Sequence, residues 1–523
     1  MFTRMVCFAC MLGIFALNAT AAQPLRVLHV SPAGSDSNDG LSPDTPFRSI
    51  SQAAKVVQAG DLVLVRGGIY REQVAIEASG TAENPIIFRA APDETALLTW
   101  GWDVHEWRKE EGNRFIYEAA FPYPVNILFE RATLDRYLEL LSPALLDVLP
   151  GSFFYDREKA TLRLHTRDGG NPADAGIVVV PYNLDGQPAT LDADSSKLKR
   201  WSNGIRLSGD HLSFEGFEIA FHAAGGRIMR VGTNATFCAF RRNTVYGTTN
   251  GLKASWRLTD AVLEDNRVFR VVGAGLQVGS HFQRVLVRNN TLIDNGPCQP
   301  FTGQSSATEG HPFNMNRYGG GDDATNLQFL NNLVISTDNA RRYGVMRCKG
   351  GVANLEMRGN ILVGGSPNIY AAPEKPGHLI GNTIVGGSLY IGTSASGKEY
   401  NPEIADNLSL KSDEIAAARF ANIAKHDYRL LPDSPHLGSG ALPEATKILF
   451  VNPQAAAGGD GTLPEKAFTT LAAALQGTLP DTIYLAAGTY QERINLNCAT
   501  ELHLTSAGDG EVVLNGGEIN LSG

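Results

Sequence analysis

Long polar side chains recur at regular intervals in the middle of the sequence, each between two apolar residues of a short predicted strand. The first four are separated by 24, 23 and 24 residues and are Arg206, Arg230, Lys253 and Gln277. Later strands continue the line with Asn314 and Asn316, Arg347 and Lys349, and Tyr370 and Tyr390. Such a line of positive charge can bind an anionic polymer, with tyrosines for sugar stacking, whereas the alternative is a row of solvated charges. We therefore predict a substrate-binding face that includes Arg206, Gln277, Asn316 and Arg347.

A long segment interrupts the spacing beside this line. "CQPFTGQSSATEGHPFNMNRYGGGDD" runs from Cys298 to Asp323 and adds about eighteen residues to one repeat. Insertions of this kind in repeat proteins are usually functional or disordered. Adjacent carboxylates repel each other, so Asp322 and Asp323 favour either solvent or a bound cation. We predict these two aspartates as metal ligands and His311, in the same segment, as a catalytic residue.

The elements that position these residues follow from a second repeat. Seven segments place an asparagine between apolar pairs, at Asn243, Asn266, Asn290, Asn332, Asn360, Asn382 and Asn407. Their spacings are 23, 24, 42, 28, 22 and 25 residues. A period in the low twenties, carried by short strands and turns, is typical of a stacked β-solenoid. A buried asparagine can donate to one coil and accept from another, so the series predicts an internal ladder of stacked amides.

The start of the sequence is repeated near its end. "GDLVLVRGGIYRE" (60–72) corresponds to "PDTIYLAAGTYQE" (480–492), and the similarity extends over about seventy residues. Each copy predicts a short strand, a turn cluster, a short helix and an apolar strand. We expect a β-helix domain over 23–445, with an antiparallel β insertion over about 102–180, and a truncated second β-helix start over 446–523. This arrangement suggests a fragment of a longer protein.

Targeting and charge restrict the class of protein. Residues 1–22 have the basic start, apolar run and small-residue end of a secretory signal peptide, so we expect a secreted or periplasmic protein. No other stretch is long and apolar enough to predict a membrane span. The formal net charge of -9 argues against a nucleic-acid partner. We expect a monomer. We expect the cysteines to be free thiols, with Cys298 and Cys348 as the pair to test for a disulfide.

The opening "VSPAGSDSNDGLSPDTPFRSISQAAKVVQAGDLVLVRGGIYRE", with "GTAENPIIFRA" after it, resembles the start of pectate-lyase-like proteins. It is most similar in style to family-nine pectate lyases and related bacterial β-helix glycosidases. "DYRLLPDSPHLGSGA" (427–441) is similar to the phrase that closes many of these domains. The resemblance implies an all-β fold, a right-handed parallel β-helix with a short N-terminal capping helix.

For uronate-polymer lyases, this resemblance implies a Lys or Arg base and a Ca²⁺ ion held by carboxylates. The C5 proton becomes acidic when the neighbouring carboxylate is neutralised by a cation or an arginine. Lys253 fits the base by position, and Arg230 would favour its neutral form or bind the uronate carboxylate. The clustered acidic Ca²⁺ motif of family-nine pectate lyases is not recognisable in this chain. The sequence favours a lyase that cleaves an anionic polysaccharide.

Two alternatives stay open. A glycoside hydrolase on the same fold needs two carboxyl groups, which could come from Glu309, Asp322, Asp323 or Asp338. A non-catalytic β-helix that binds glycans or supports a larger surface protein is also compatible with the duplicated start.

Overall fold

The computed structural model describes residues 26–184, 187–198, 203–229, 235–255, 257–279, 281–295, 311–316, 325–337, 344–349, 352–370, 377–392, 402–441, 448–476, 480–492, 494–497, 502–515 and 519–522. The predicted signal peptide lies outside these residues. In the described ranges, no helix combines the length and apolar character needed to cross a membrane.

Three parallel sheets, which we call A, B and C, form the main domain, and the chain visits them in that order in each coil. The strands of sheet A are Val27–Val30, Leu62–Val65, Ile86–Ala90, Leu212–Glu215, Ala235–Thr236, Ala239–Arg241, Leu258–Glu264, Phe282–Arg288, Thr325–Leu330, Ala353–Arg358, His378–Ile380 and Glu403–Ala405. The strands of sheet B are Gly68–Arg71, Ala96–Thr99, Glu218–Ala220, Thr244–Tyr246, Arg267–Phe269, Thr291–Ile293, Leu333–Ile335, Ile361–Val363, Thr383–Val385 and Leu408–Leu410. The strands of sheet C are Val74–Ile76, Asn203–Leu207, Ala224–Ile228, Leu252–Ala254, Leu276–Val278, Phe313–Asn316, Met346–Lys349, Pro367–Tyr370 and Tyr390–Ile391. The predicted parallel β-helix is confirmed.

Inward side chains of the three sheets form one continuous core. In sheet A, equivalent positions of successive coils stack as a single apolar column that includes Phe88, Phe214, Phe240 and Phe329. Each fully buried side chain of this size contributes about 1.5–3 kcal/mol by leaving water. Because alternate residues of a strand face opposite sides, this inward column fixes which residues of each strand face outward.

The predicted asparagine ladder lies at the corner between sheets A and B. From Asn243 to Asn407, the Nδ2 of each asparagine donates to the Oδ1 of the next at 2.8–3.1 Å. The same Nδ2 atoms also donate to a main-chain carbonyl of the preceding coil. The prediction is confirmed for all seven residues. Six of these side chains are buried, and their hydrogen bonds avoid the cost of about 1–3 kcal/mol for each unsatisfied buried polar group.

A second ladder, made of charges, follows the outward face of sheet A. Five consecutive strands place alternating charges in register, and we call Arg89, Glu215, Arg241, Glu264 and Arg288 the charge ladder. Glu215 lies 3.1 Å from Arg89 and 3.7 Å from Arg241, and Glu264 contacts Arg241 at 3.2 Å and also pairs with Arg288. Each carboxylate therefore has a cation on both sides.

The predicted insertion is antiparallel in most of its pairings and extends to Pro188. Its strands are Trp102–Asp103, Arg108–Lys109, Ile116–Ala120, Val125–Glu130, Leu138–Glu139, Ser152–Asp156, Thr161–His165, Ile177–Pro181, Asn183–Leu184 and Gln187–Pro188, and its short helices are Pro143–Val148 and Pro172–Ala175. The short helix Ser195–Lys197 follows the insertion. Phe129 and Val178 of the insertion pack on Phe221 and Tyr246 of the β-helix. The insertion therefore covers the outer face of sheet B in the early coils.

The two copies of the start share details beyond their strands. The first has the helix Ile50–Val56, and the second has the helix Leu471–Ala474. Glu72 accepts hydrogen bonds from the main-chain nitrogens of Ile50 and Ser51, and Glu492 does the same for the second helix. These carboxylates satisfy orphan donors at each helix N-terminus. The predicted duplication is thus confirmed as a repeated capping structure.

After the last coil, the short helices Ala416–Ala418 and Ile423–Lys425 and the hairpin strands Phe420–Asn422 and Asp427–Leu430 lead into the second copy. The second copy contains strands Ile448–Val451, Thr482–Leu485, Gly488–Tyr490, Ile494–Asn497, His503–Ser506, Val512–Leu514 and Ile519–Ser522, and the short helix Pro464–Lys466. In the first copy, Arg26 pairs with the buried Asp61 at 2.9 Å. In the second copy, the equivalent Asp481 pairs with Arg429 of the hairpin, also at 2.9 Å.

Candidate functional site

The outward face of sheet C carries the predicted polar line. One residue of each strand lies in register along what we call the outer row of sheet C: Ala75, Arg206, Arg227, Lys253, Gln277, Asn314, Arg347, Asn368 and Tyr390. Neighbouring strands of a sheet lie about 4.8 Å apart, so these side chains form a closely spaced series along the β-helix. The prediction that Arg206, Lys253 and Gln277 share one face agrees with this register.

The register corrects one predicted position. Arg227, and not Arg230, lies between Arg206 and Lys253 in the row, and Arg230 lies outside the described residues. The spacing at this coil is 21 residues and then 26, because the turns that join the strands differ in length. Asn316 also differs from the prediction: it is opposite Lys349, two residues beyond the row, whereas Asn314 is opposite Gln277 and Arg347.

Arg206, Arg227 and Lys253 form three consecutive cationic positions, which we call the cationic triplet. Arg206 Nη2 donates to Glu77 Oε1 at 2.9 Å, and Arg227 Nε donates to Ser255 Oγ at 2.8 Å. Among the residues that the structure describes, no carboxylate lies within ion-pair distance of Arg227. Burial and then the charge of Arg206 lower the pKa of Arg227, so a bound anion at this position would relieve an existing repulsion.

The two positions that follow the triplet are buried and polar. Gln277 is 2% exposed and its Nε2 has no hydrogen-bond partner in the described part of the chain, while Asn314 is fully buried. His311 lies beside this part of the row, with Nδ1 3.4 Å from the carbonyl oxygen of Gly344. Burial lowers the pKa of His311 to about 4, and the charge of Arg347 contributes to the shift. The imidazole is therefore neutral near pH 7, and a proton on Nδ1 leaves Nε2 able to accept another.

The insertion contacts the turns that lead from sheet B into the strands of this row. Arg270, at the turn between sheets B and C, donates to the carbonyl oxygen of Thr133 and pairs with Asp135 at 2.9 Å. Phe221 and Val272, at equivalent turns, also pack on the insertion. The long segment 296–310 connects the same two sheets one coil later, between Thr291–Ile293 and Phe313–Asn316. The insertion and the segment 296–310 thus each join a strand of sheet B to a strand of sheet C in the chain.

Several predicted residues cannot be placed in this geometry. Glu309, Asp322, Asp323 and Asp338, together with the side chain of Asn316, lie outside the described residues. Within the described ranges, no group of three or more His, Cys, Asp or Glu side chains could hold a metal ion. Cys348 is a free, buried thiol that faces the core, so it does not form the disulfide considered for Cys298 and Cys348.

Sequence reasoning missed two contributors to the site. Arg227 could have been found from its flanking residues, because Gly226 and Ile228 reproduce the small or apolar neighbours of the other row positions. Glu77 had no such signal, since it lies 129 residues before Arg206 and on the other side of the insertion.

No family model matches the chain. The chain is 39% identical over 72 residues to Uncharacterized protein YwoF of Bacillus subtilis (strain 168), which covers 14% of this chain and 15% of that protein. It is 37% identical over 73 residues to Pectate lyase PEL9 of Emericella nidulans, which covers 14% of this chain and 18% of that protein. The matched parts therefore span less than a fifth of each curated relative.

Among solved structures, XylC in complex with xylose aligns with 92% of this chain and 86% of its own, at 14% identity and a TM-score of 0.49. Pectate lyase Pel9A aligns with 80% of this chain and 95% of its own, at 13% identity and a TM-score of 0.38. The resemblance to pectate-lyase-like proteins is confirmed for the fold by the chain's own three parallel sheets and their register.

Proposed function

We propose that this protein is a polysaccharide lyase that cleaves a uronate-containing polymer by β-elimination on the outward face of sheet C. The observation that carries this proposal is the unbroken cationic triplet. Like charges on adjacent strands destabilise a sheet, and the charge ladder on sheet A avoids that cost by alternation. A protein that keeps three cations together at the same spacing is suited to an external anion. The similarity of a short part of the chain to Pectate lyase PEL9 supports this direction.

Arg227 is the proposed carboxylate-binding residue. Its guanidinium is half-buried, and Ser255 orients its Nε. A guanidinium can hold a carboxylate through two parallel hydrogen bonds, which also neutralises the negative charge. Neutralisation makes the adjacent C5 proton more acidic, because the electron density that develops on proton removal is then stabilised.

Lys253 is the proposed general base, one strand beyond Arg227. Its Nζ takes the C5 proton, the released electron pair forms the C4–C5 double bond, and the C4–O4 bond breaks. The leaving oxygen takes a proton from solvent, so atoms and charge balance. Only the neutral amine can act in this way, and the neighbouring guanidinium disfavours a second positive charge beside it.

His311 is the alternative base. It lies beside Asn314, two strands beyond Lys253, and is neutral near pH 7. The same low pKa makes it a poor proton donor at that pH, so we assign it no general-acid role. Variants of the two residues distinguish them, since the true base is the one whose loss removes turnover without preventing binding.

The far end of the row is proposed to bind sugar rings without a charge requirement. Tyr390 is 51% exposed, and Asn368 precedes it in the row. An exposed aromatic ring offers a flat apolar face to a sugar, while the amide offers donors and acceptors.

Calcium is a separate proposal. Asp322 and Asp323 would hold the ion through carboxylate oxygens, and the ion would add a second positive charge near the uronate carboxylate. Activity measured after chelation, with and without added Ca²⁺, tests this point. Equal activity in both conditions, together with an active Asp322→Asn variant, would remove the metal from the proposal.

The lyase proposal is tested by incubating the purified full chain with a panel of polyuronates and following the ultraviolet absorbance of the unsaturated product. Absorbance that rises with new chain ends is the expected result. New reducing ends without absorbance would replace the lyase by a hydrolase. Retention on an immobilised polyuronate with no cleavage would replace both by a binding protein.

We also propose that the protein is exported after removal of residues 1–22 and acts as a monomer. N-terminal sequencing of the mature protein and its sedimentation behaviour test these two points.

A further inference from the structure

Glu77 is the carboxylate at the start of the outer row of sheet C. It directly follows the first strand of this sheet, Val74–Ile76, in which Ala75 is in register with Arg206. Its Oε1 accepts a hydrogen bond from Arg206 Nη2 at 2.9 Å, and its side chain is 72% exposed. The carboxylate therefore lies at the protein surface and contacts the first member of the cationic triplet.

The two arginines of the triplet differ in their partners. Arg206 has a carboxylate, whereas Arg227 has the Ser255 hydroxyl and, among the described residues, no carboxylate. An anion that approached Arg206 would meet the negative charge of Glu77, while an anion at Arg227 would not. The row thus disfavours a bound anion at Arg206 and favours one at Arg227, one strand later.

We infer that Glu77 sets the end of the anion-binding tract by occupying Arg206 in place of a substrate carboxylate. This inference rests on the proposed function. The first uronate of the polymer then lies at Arg227, and a further uronate beyond it gains nothing from Arg206. Glu77 is accordingly a specificity-determining residue, which limits how many consecutive uronates the site recognises.

An exposed ion pair contributes little to folding, so Glu77→Gln keeps the fold and changes the charge alone. The matched control is Glu83→Gln, which removes the same charge from an exposed residue of the loop that follows the strand. Binding of uronate oligomers of increasing length is measured by calorimetry for the Lys253→Met protein, which should not cleave them. The same protein carrying Glu77→Gln or Glu83→Gln is measured in parallel.

With Glu77 present, we expect the affinity to stop increasing at a certain oligomer length. In Glu77→Gln the plateau moves to an oligomer one uronate longer, with about a tenfold gain for that oligomer, and the gain falls as salt is added. Methyl-esterified oligomers, which lack the negative charge, should show no shift.

An unchanged plateau in Glu77→Gln, with oligomer binding intact, would overturn this inference and leave the proposed function standing. An equal gain in Glu83→Gln would also overturn it, because the effect would then be one of general charge. Failure of every protein to bind any uronate oligomer would overturn the proposed function and this inference together.

Discussion

The charge ladder of sheet A and the cationic triplet of sheet C have the same spacing and different charge order. On sheet A, Glu215 and Glu264 each lie between two arginines, with Glu215 3.1 Å from Arg89 and Glu264 3.2 Å from Arg241. On sheet C, Arg227 lies between Arg206 and Lys253, with two cations as neighbours. Strand register alone does not decide whether a polar row stabilises the fold or binds a ligand.

The order of charges decides between these roles. An alternating row satisfies itself, so it adds cross-strand pairs of about 0.2–1 kcal/mol each and leaves little potential for a ligand. A row of like charges costs stability in the free protein and recovers it when an anion binds. Functional sites commonly show this trade-off: side chains needed for binding are retained even though replacing them would raise the stability of the free protein.

Replacing the proposed base should have the largest effect. We expect Lys253→Met to lower kcat by about 10²–10⁴, since a positioned general base contributes that much, while the melting temperature stays close to that of the parent. Product absorbance and thermal unfolding are the measurements. Lys253→Met should still bind the polymer through Arg227 and fail to cleave it. Full turnover in this variant would exclude Lys253 as the base.

Converting the triplet into an alternating row should have the next largest effect. Arg227→Glu places a carboxylate between Arg206 and Lys253, as in the charge ladder. We expect kcat/KM on the anionic polymer to fall by about 10²-fold, because a carboxylate repels the substrate that an arginine held. The free protein should become more stable by about 0.5–1 kcal/mol through new cross-strand pairs.

Arg227→Met is the control for that experiment. It removes the cation without creating alternation, so activity should fall while the stability gain is smaller. A variant Arg227→Glu that is less stable than the parent would contradict the interpretation of the triplet as a like-charge cost.

Acid should destabilise the site through His311. Its folded-state pKa of about 4 lies below its ordinary value of 6.5, so the unfolded chain binds the proton more readily between these values. The stability that depends on neutral His311 is complete above pH 6.5 and is lost as the pH falls toward 4, by about 3 kcal/mol. Denaturant unfolding across this range measures the slope.

His311→Gln should flatten the slope in part, because the fully buried His222, whose pKa burial lowers to about 3, titrates in the same sense. An unchanged slope in this variant would show that His311 is protonated in the folded protein at higher pH than its burial implies.

Breaking the charge ladder should have the smallest effect. We expect Arg241→Met to cost about 1 kcal/mol of stability, because Glu215 keeps Arg89 and Arg242 as partners and Glu264 keeps Arg288. Activity should be unchanged, as this residue faces away from sheet C. A loss of turnover comparable to that of the Arg227 variants would remove the distinction between the two rows.

The parts of the fold that were predictable from sequence are those with a strong repeated signal. The asparagine ladder was found because one residue type at one interval has a specific buried role, and the duplicated cap was found because its residues are repeated. Outward positions carry no such signal, since they are neither apolar nor restricted to one type. The predicted spacing therefore agrees with the strand register at Arg206, Lys253 and Gln277, whereas the register places Arg227 at the position predicted for Arg230, because the turns vary in length.

Glu77 shows a second limit. The contact with Arg206 joins residues on either side of a large insertion, and nothing in the spacing of the repeats relates them. The contact forms because the strand Asn203–Leu207, which follows the insertion, stacks directly on the strand Val74–Ile76, which precedes it.

The paired arginines of the two caps bear on the order in which the molecule folds. The first cap supplies its own arginine: Arg26 directly precedes the strand Val27–Val30 and pairs with Asp61. The second cap receives Arg429 from the hairpin that ends the preceding domain, and Asp427 of that hairpin also accepts a hydrogen bond from Tyr484. Its contacts with Arg429 and Asp427 cannot form until that hairpin has folded. Synthesis from the N-terminus supplies the elements in this order, so we expect the second cap to fold against the already folded hairpin. On unfolding, the second cap should open before the preceding β-helix domain.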